Sequence, residues 1–369
     1  MLHIAGMRVL HLADVHLDAA FAGLGAAVSR RRREGIRTAF QRSIDLALQE
    51  EVDAVTVAGD LYEDERVRQD TAEFLRQQLA RLQCPVLIAP GNHDYWHKGS
   101  LYATMAWPEN VTVFSSSTFT PEEVSGVRIF GIAHHQPKGT PDLLSGVRAG
   151  RGVRAIALFH GSERGQMPLQ ESGKEDHAPF SEEELGRAGF AFGLLGHFHT
   201  PRQTQRLVYP GNPEPLTFGE AGERGPVLVD LAPAHPTVEW RRVATFTLEE
   251  REVDVSGCQH SEALVERLEE AIPEGQDRGV RLRVVGDVAP GIRMGTTELL
   301  ERLRRGDRCV ELVMDARPAL DLESLSQAPD ARGQFVRALM ARPDFEGPLV
   351  QAALAAGLDA LRGEEPRLL

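Results

Sequence analysis

Cysteine is nearly missing from this chain: Cys84, Cys258 and Cys309 are the only three in 369 residues, and no two form a CxxC pair. A disulfide framework and thiolate metal sites are therefore excluded, and three isolated small apolar side chains fit a reducing cytoplasm. Long apolar runs are lacking too. Nothing approaches the roughly 18 consecutive apolar residues of a membrane-spanning helix, and the opening MLHIAGMRVLHLADVH has no basic region followed by an apolar stretch and a small-residue cleavage site. A soluble, cytoplasmic protein without a membrane role is expected, in keeping with 42% hydrophobic and 26% charged residues. Positive charge is in deficit, with 41 lysines and arginines against 54 acids and a formal net charge of -13. Such a surface opposes general adhesion to nucleic acid, whose affinity comes mostly from basic contacts to phosphate. A polyanionic substrate would have to be met locally, by bound cations or by a partner's positive surface.

What is present is a layered α/β pattern from Arg8 to about Ala244. Short apolar strands are predicted at 8–12, 54–58, 85–89, 127–133, 154–159, 190–195, 207–209 and 227–231. A helix from about Ser29 to Glu50 carries Ile36, Phe40, Ile44 and Leu48 on one face, a second runs near 70–82, and Ser181 with Glu184 forms a capping box for a short third. The length exceeds the roughly 250 to 300 residues at which single cores stop growing, and the character changes after Ala244. Strands at 245–255, 280–285 and 309–313 with helices at 261–271 and 296–304 read as a fresh β/α unit. A helical stretch from about Asp321 ends in QAALAAGLDALRG, whose apolar face is too short to fold alone and needs a surface to lean on. The expected organisation is 1–244, 245–318 and 319–369.

The loops after successive strands read Asp14-Val15-His16, Gly59-Asp60, Gly91-Asn92-His93-Asp94, His160-Gly161 and Gly196-His197-Phe198-His199. Ligands gather at the carboxyl edge of α/β sheets, so five separate segments are expected to meet in one crevice. Carboxylates, a carboxamide and imidazoles without thiols suit a pair of divalent cations, Mn²⁺, Fe²⁺ or Zn²⁺ better than Ca²⁺. Residues i and i+2 of a strand point the same way, which explains the DxH and HxH spacings. A single DxH or HxH is weak evidence, GNHD is stronger, and the five in this order are specific. His11, His134 and His135 fall in no ligand slot and are read as structural.

These residues resemble the calcineurin-like metallophosphoesterases, whose series D-x-H, G-D, G-N-H-D, H and G-H-x-H matches over residues 8–199. RVLHLADVHLD, VDAVTVAGDLYED and YPGNPEPLTFGE followed by GPVLVDL are most similar to the SbcD-type DNA-repair nucleases, over about residues 7–231. The resemblance implies a metallophosphoesterase β-sandwich flanked by helices, a smaller α+β cap domain and a helical C-terminal segment, with the first six residues preceding the fold. It implies Asp14, His16, Asp60 and His199 on one divalent ion and Asp60, Asn92, His160 and His197 on the other, Asp60 bridging, with Mn²⁺ ahead of Fe²⁺ and Zn²⁺. His93 would then face the scissile phosphate and protonate the leaving oxygen, oriented by Asp94.

The resemblance further implies DNA as substrate, cut as an exonuclease and endonuclease in repair, an SbcC-type ATPase partner docked through the cap or the terminal helices, and a homodimer. Relatives in archaea and eukaryotes often carry histidine three residues after the bridging aspartate, where this chain has Glu63, read here as a solvent-facing acid. Arg30, Arg31, Arg32 and Arg33 open the first long helix, where positive charge is unfavourable unless a phosphate is near; Arg202 and Arg206 are further candidates for the DNA backbone. Two other readings stand beside this one: a small-molecule phosphodiesterase or nucleotide phosphatase with the same metals, and an inactive scaffold, against which the intact donor set argues.

Overall fold

The computed structural model describes residues 6–139, 142–150, 154–166, 176–232, 235–289, 292, 295–318 and 321–362; the expectation that the first six residues precede the fold falls largely outside them. β1 (Arg8–Leu12) shows how the core is specified. Leu10 and Leu12 join one apolar cluster with Ile36, Phe40 and Ile44 of α1 (Ala26–Gln49), while Val9 joins another with Ile156, Leu158, Phe192 and Leu194. Successive strand residues point to opposite faces, so a strand covered on both sides reads as a nearly continuous apolar run.

The same logic extends through β2 (Ala54–Ala58), α2 (Gln69–Leu79), β3 (Val86–Ala89), the short α3 (Leu101–Thr104) and β4 (Val111–Val113). A second series comprises β5 (Thr120–Val124), β6 (Val127–Gly131), β7 (Ala155–His160), α4 (Glu182–Arg187), β8 (Phe192–Gly196), β9 (Arg202–Gln203) and β10 (Leu207–Tyr209), after which β11 (Val227–Asp230) and β12 (Thr237–Trp240) return to the first sheet. The first sheet has the order β12-β11-β1-β2-β3-β4, with β1 to β4 mutually parallel; the second has the order β5-β6-β7-β8-β10-β9, with β6, β7, β8 and β10 parallel. The two sheets share the Val9 cluster between them, α1 and α2 cover the outer face of the first, and Leu185 of α4 packs on the outer face of the second. Of the parallel strands, β1, β2, β3, β7 and β8 end at the segments that carry the predicted donors.

The expected strands are present with their ends shifted by a few residues, and Ser181 and Glu184 exchange both hydrogen bonds of the capping box. α1 starts three residues before Ser29, after an extended Gly25, and the Ser29 hydroxyl donates to the Phe21 carbonyl at 3.2 Å instead of capping the helix. β5, TPEEV, has four exposed residues of five, and β12, TVEW, has none buried. Both are edge strands, and neither carries the apolar periodicity that reveals a strand in sequence.

The chain divides into two compact units, one of Met1–Glu250, Pro273–Arg281 and Arg304–Val310, the other of Arg251–Ile272, Leu282–Leu303 and Glu311–Leu369. Beyond β12 come β13 (Thr247–Asp254), α5 (Ser261–Glu270), β14 (Arg278–Val285), β15 (Asp287–Val288), α6 (Thr296–Leu303), β16 (Cys309–Met314) and β17 (Arg317–Pro318), with β13, β14 and β16 in one small sheet. α7 (Leu322–Gln327), α8 (Ala331–Met340) and α9 (Pro348–Arg362) follow. Val336 of α8 and Leu354 and Leu358 of α9 form a cluster of their own with Leu322, Phe335 and Phe345 packed around it. The apolar face at the end of the chain therefore leans on the neighbouring helices.

Candidate metal centre

Hydrogen bonding between β1 and β2 continues past both strand ends, where the Asp14 N–H donates to the Gly59 carbonyl at 3.1 Å and His16 N–H to that of Asp60 at 2.9 Å. This brings the first two motifs side by side. Gly59 turns with φ +78°, and a Cβ there would come within 2.6 Å of both Gly91 Cα and the His160 Nδ1, so the third and fourth motifs close on it only because it is glycine. Gly196 is equally constrained, since a Cβ would strike the Ala58 carbonyl oxygen. Asp14, His16, Asp60 and His197 themselves adopt φ of 52°, 53°, 53° and 114°. Left-handed backbone at non-glycine residues costs on the order of 1 to 3 kcal/mol each and persists where surrounding structure imposes it, typically at functional sites.

The side chains so delivered converge. His16 Nε2 lies 3.2 Å from His199 Nε2 and 3.8 Å from Asp60 Oδ2; His199 Nε2 lies 3.8 Å from Asp14 Oδ1. His160 Nε2 lies 3.3 Å from Asp60 Oδ2 and 3.0 Å from Asn92 Oδ1. The His197 ring sits beside that of His160 with centroids 5.2 Å apart, and the His197 backbone N–H donates to both Asp14 carboxylate oxygens at 3.0 and 3.1 Å. Asp14, His16 and His199 form one group with potential ligand atoms within 4.8 Å of one another, and Asp14, Asp60 and His160 form another.

The far side of three of these imidazoles is held by an acceptor. His16 Nδ1 is 2.7 Å from Glu63 Oε1, His199 Nδ1 is 2.7 Å from Glu220 Oε1, and His160 Nδ1 is 2.9 Å from the Ala58 carbonyl oxygen. This arrangement sets the tautomer that leaves Nε2 as a donor atom, as in metal-bound histidines. With both Nδ1 atoms engaged by carboxylates, the Nε2 lone pairs of His16 and His199 would face each other at 3.2 Å, a geometry relieved by a cation or a proton. The residues present therefore fit divalent metal.

Glu220 belongs to a supporting network that sequence reading saw only as a family-like segment. Its second oxygen accepts from Asn212 Nδ2 at 2.6 Å and from the Leu216 N–H at 2.6 Å, and the buried Arg224 donates to the Glu220 and His199 carbonyls and to Asn212 Oδ1. Burial acts to raise the Glu220 pKa, but the hydrogen bond and charge of His199 outweigh it and hold the carboxyl far below its ordinary value. Asp60 is likewise held well below its ordinary value, because His160, His93 and His16 together overcome its burial.

Asp94, expected to orient His93, is committed elsewhere. Its carboxylate accepts from the Gly91, Asp60 and Leu61 N–H groups at 2.6, 3.1 and 2.6 Å and from the Tyr102 hydroxyl at 2.6 Å. It fixes the turn; burial and the charge of Asp60 raise its pKa to about 6. The partner of His93 is Glu63, whose Oε2 lies 3.0 Å from His93 Nδ1. Glu63 is therefore no bystander in solvent: it joins His93 to His16, and hydrogen bonds from those two rings overcome its burial and bring its pKa down to about 2. The charge of Asp60, against burial and with help from Glu63, raises His93 to about 9.

His93 is exposed on a cleft of about 530 Å³ lined also by Asp60, Asn92, His177, His197 and Tyr95. His177 was missed in the sequence because no spacing marks it: it reaches the cleft through backbone pairing with Ser162, two residues past His160. His11 and His134 are structural, as read. His11 bonds Thr56 and the Leu195 carbonyl, His134 bonds the His160 carbonyl at 2.6 Å, and burial lowers their pKa values to about 4 and 3. His135 is exposed beside Trp96.

The arginine candidates are not brought to this cleft, whose lining cations are Arg66 and Lys138. Because α1 begins at Ala26, Arg30 to Arg33 occupy its second turn, beyond the strong part of the helix dipole. Arg32 is buried, with its guanidinium 4.1 Å from the Phe246 ring centroid and donating to the Pro215 carbonyl, and Arg31 donates to the Asp307 carbonyl at 2.9 Å. A DNA-contacting role for Arg32 is thereby overturned. Arg30 is exposed and Arg33 partly buried. Arg202 donates to the Gln166 carbonyl at 2.7 Å and packs on Phe198, and Arg206 is exposed.

Comparison with known proteins agrees with this geometry. The family model for calcineurin-like phosphoesterases matches residues 7–201. An uncharacterized metallophosphoesterase, YhaO, of Bacillus subtilis is 29% identical over 295 residues, covering 75% of this chain and 70% of that protein. The DNA double-strand break repair protein Mre11 of Methanopyrus kandleri is 27% identical over 406 aligned residues, 97% of this chain and 82% of that protein, and the protein of the same name from Haloferax volcanii is 28% identical over 287 residues, 76% and 62%. Since the matched segment exceeds half of the chain and contains the candidate ligand groups around Asp14, His16, Asp60, His160 and His199, this chain belongs to the calcineurin-like phosphoesterase family and is a hydrolase of phosphate esters.

Proposed function

We propose that this protein is a two-metal phosphodiesterase that cuts DNA, as an exonuclease and endonuclease in repair, working in the cytoplasm as a homodimer with an SbcC-type ATPase. The observation that carries this reading is the similarity to a protein named for double-strand break repair over 97% of the chain, which includes the residues beyond the phosphoesterase match. The unit after the metal-bearing loops is then the cap, and α7 to α9 are candidates for docking the ATPase.

In this reading Asp14, His16, Asp60 and His199 would hold one divalent ion and Asp60, Asn92, His160 and His197 the other, Mn²⁺ being the first choice for this nitrogen and oxygen donor set. Bound there, the ions neutralise phosphate charge and acidify the attacking water. His93 supplies the remaining chemistry. Glu63 accepts from its Nδ1–H, which leaves Nε2 for the substrate, and this neighbouring carboxylate favours the protonated ring. It passes the Nε2 proton to the leaving oxygen as the P–O bond breaks, while Glu63 keeps the ring in place. Asp94 contributes indirectly by fixing the turn on which Asn92 and His93 stand.

One observation favours the small-ester alternative: Asp60, Glu63, Asp64 and Glu65 all line the cleft, and the chain carries -13 overall, which disfavours an extended polyanion. Incubation of the pure protein and Mn²⁺ with linear duplex, hairpin DNA and bis-p-nitrophenyl phosphate separates the two. DNA cleavage is expected; hydrolysis of the small ester alone would overturn the DNA reading. In the same assay His93→Ala is expected to keep its metal and lose about 10² to 10⁴ in kcat, and loss of metal in that variant would remove His93 from proton transfer.

A further inference from the structure

The cleft has an aromatic side that metal binding and proton transfer leave unused. Tyr95, partly exposed, lines it together with Arg66 and Lys138, and it takes no part in the apolar clusters behind the two sheets. It directly follows the turn that Asp94 fixes, and the next residue is pinned by a 2.7 Å hydrogen bond from the Trp96 N–H to the His134 carbonyl. The Tyr95 ring rests against that of His97, with centroids 5.0 Å apart and planes inclined at 33°. His97 is itself locked: Nε2 donates to Asp64 Oδ2 at 2.9 Å and Nδ1 accepts from the Gly99 N–H at 3.2 Å, so its tautomer and ring plane are both set. An aromatic ring backed by a second immobilised ring, at the edge of a phosphate-cleaving site, is a preorganised surface that pays little ordering entropy on binding a flat ligand.

We propose that Tyr95 is the stacking platform for a nucleobase of the substrate strand beside the scissile phosphate, with Arg66 and Lys138 facing the adjoining backbone; this rests on the DNA reading above. Every base has a π face, so such a platform grips a strand without selecting its sequence. It also answers the charge problem. In a chain of net charge -13 whose cleft is lined by Asp60, Glu63, Asp64 and Glu65 beside Arg66 and Lys138, affinity for a strand end has to come in part from contacts insensitive to charge.

The test compares wild type, Tyr95→Ala and Tyr95→Phe on a fluorescent single-stranded oligonucleotide and on the same strand with abasic tetrahydrofuran residues at both ends. Equilibrium binding is read by anisotropy on metal-free protein, and KM and kcat with Mn²⁺. Wild type is expected to bind the abasic strand about tenfold more weakly, the size of one lost base stack. Tyr95→Ala should bind the natural strand as weakly as wild type binds the abasic one, be indifferent to base removal, and show the loss in KM with kcat nearly kept; Tyr95→Phe should behave as wild type. Equal binding of the two strands by wild type, or an unchanged Kd in Tyr95→Ala, overturns the platform. If wild type hydrolyses bis-p-nitrophenyl phosphate but neither binds nor cuts any strand, the DNA reading fails and the platform with it, a result distinct from failure of the platform alone.

Discussion

His11 illustrates a titratable residue that serves the fold between two sheets. It is buried, with Nδ1 2.9 Å from the Thr56 hydroxyl of β2 and Nε2 3.1 Å from the Leu195 carbonyl of β8. Burial lowers its pKa from 6.5 to about 4, so it folds neutral. The folded value lies below the unfolded one, so its contribution is complete above pH 6.5 and drains away as pH falls to 4, on the order of 3 kcal/mol in all. In urea titrations with EDTA present, wild type should lose stability over that window, and His11→Gln, less stable at pH 7, should lose less on acidification. Equal pH slopes would show that His11 is not the titrating group. At this scale the DxH, GNHD and HxH spacings were legible, because the period of a strand dictates them. Glu63 and Glu220 were not, because each acts on a histidine distant in sequence: 47 residues separate Glu63 from His16, and 21 separate Glu220 from His199.

Among the elements, those with a clear apolar period were readable and the edges were not. β1, β2 and β10 lie where the pattern placed them, whereas β5 and β12 carry mostly exposed residues. An edge strand has one paired neighbour and may be polar on both faces, leaving little signal in sequence. α9 was legible as amphipathic, but what covers it was not. Leu354 is buried against α8 in a cluster of few residues, so Leu354→Ala should destabilise that helical group by about 2 to 5 kcal/mol. Amide hydrogen exchange should show protection lost across α8 and α9 and retained in β1 to β3; unchanged exchange in α8 would mean that the cluster is not a cooperative unit.

For the whole molecule, charge and topology act together. The chain carries thirteen surplus negative charges, and among the described residues Arg66 and Lys138 are the lysine and arginine cations lining the cleft. Two phosphate contacts release few counterions, so the log–log slope of single-strand affinity against salt should be about -1.4 for the isolated protein. A slope steeper than about -4 would mean that a broad basic surface elsewhere on the chain carries the binding. Because the candidate metal ligands come from two sheets, the centre depends on how these face each other: Asp14, Asp60 and Asn92 follow strands of the first, while His160 ends β7 and His197 and His199 follow β8 in the second.

The sequence by itself determined the family, the strands with a clear apolar period and the loops on which the candidate metal ligands stand, because strand period, glycine turns and donor chemistry are local properties that a linear pattern records. Only the tertiary structure decided that Glu63 rather than Asp94 touches His93, that Glu220 backs His199, that Arg32 is buried, and that Tyr95 and His177 line the cleft. Each of these depends on which remote segments pack together, and burial or a hydrogen bond between residues far apart in the chain leaves no periodic trace in sequence.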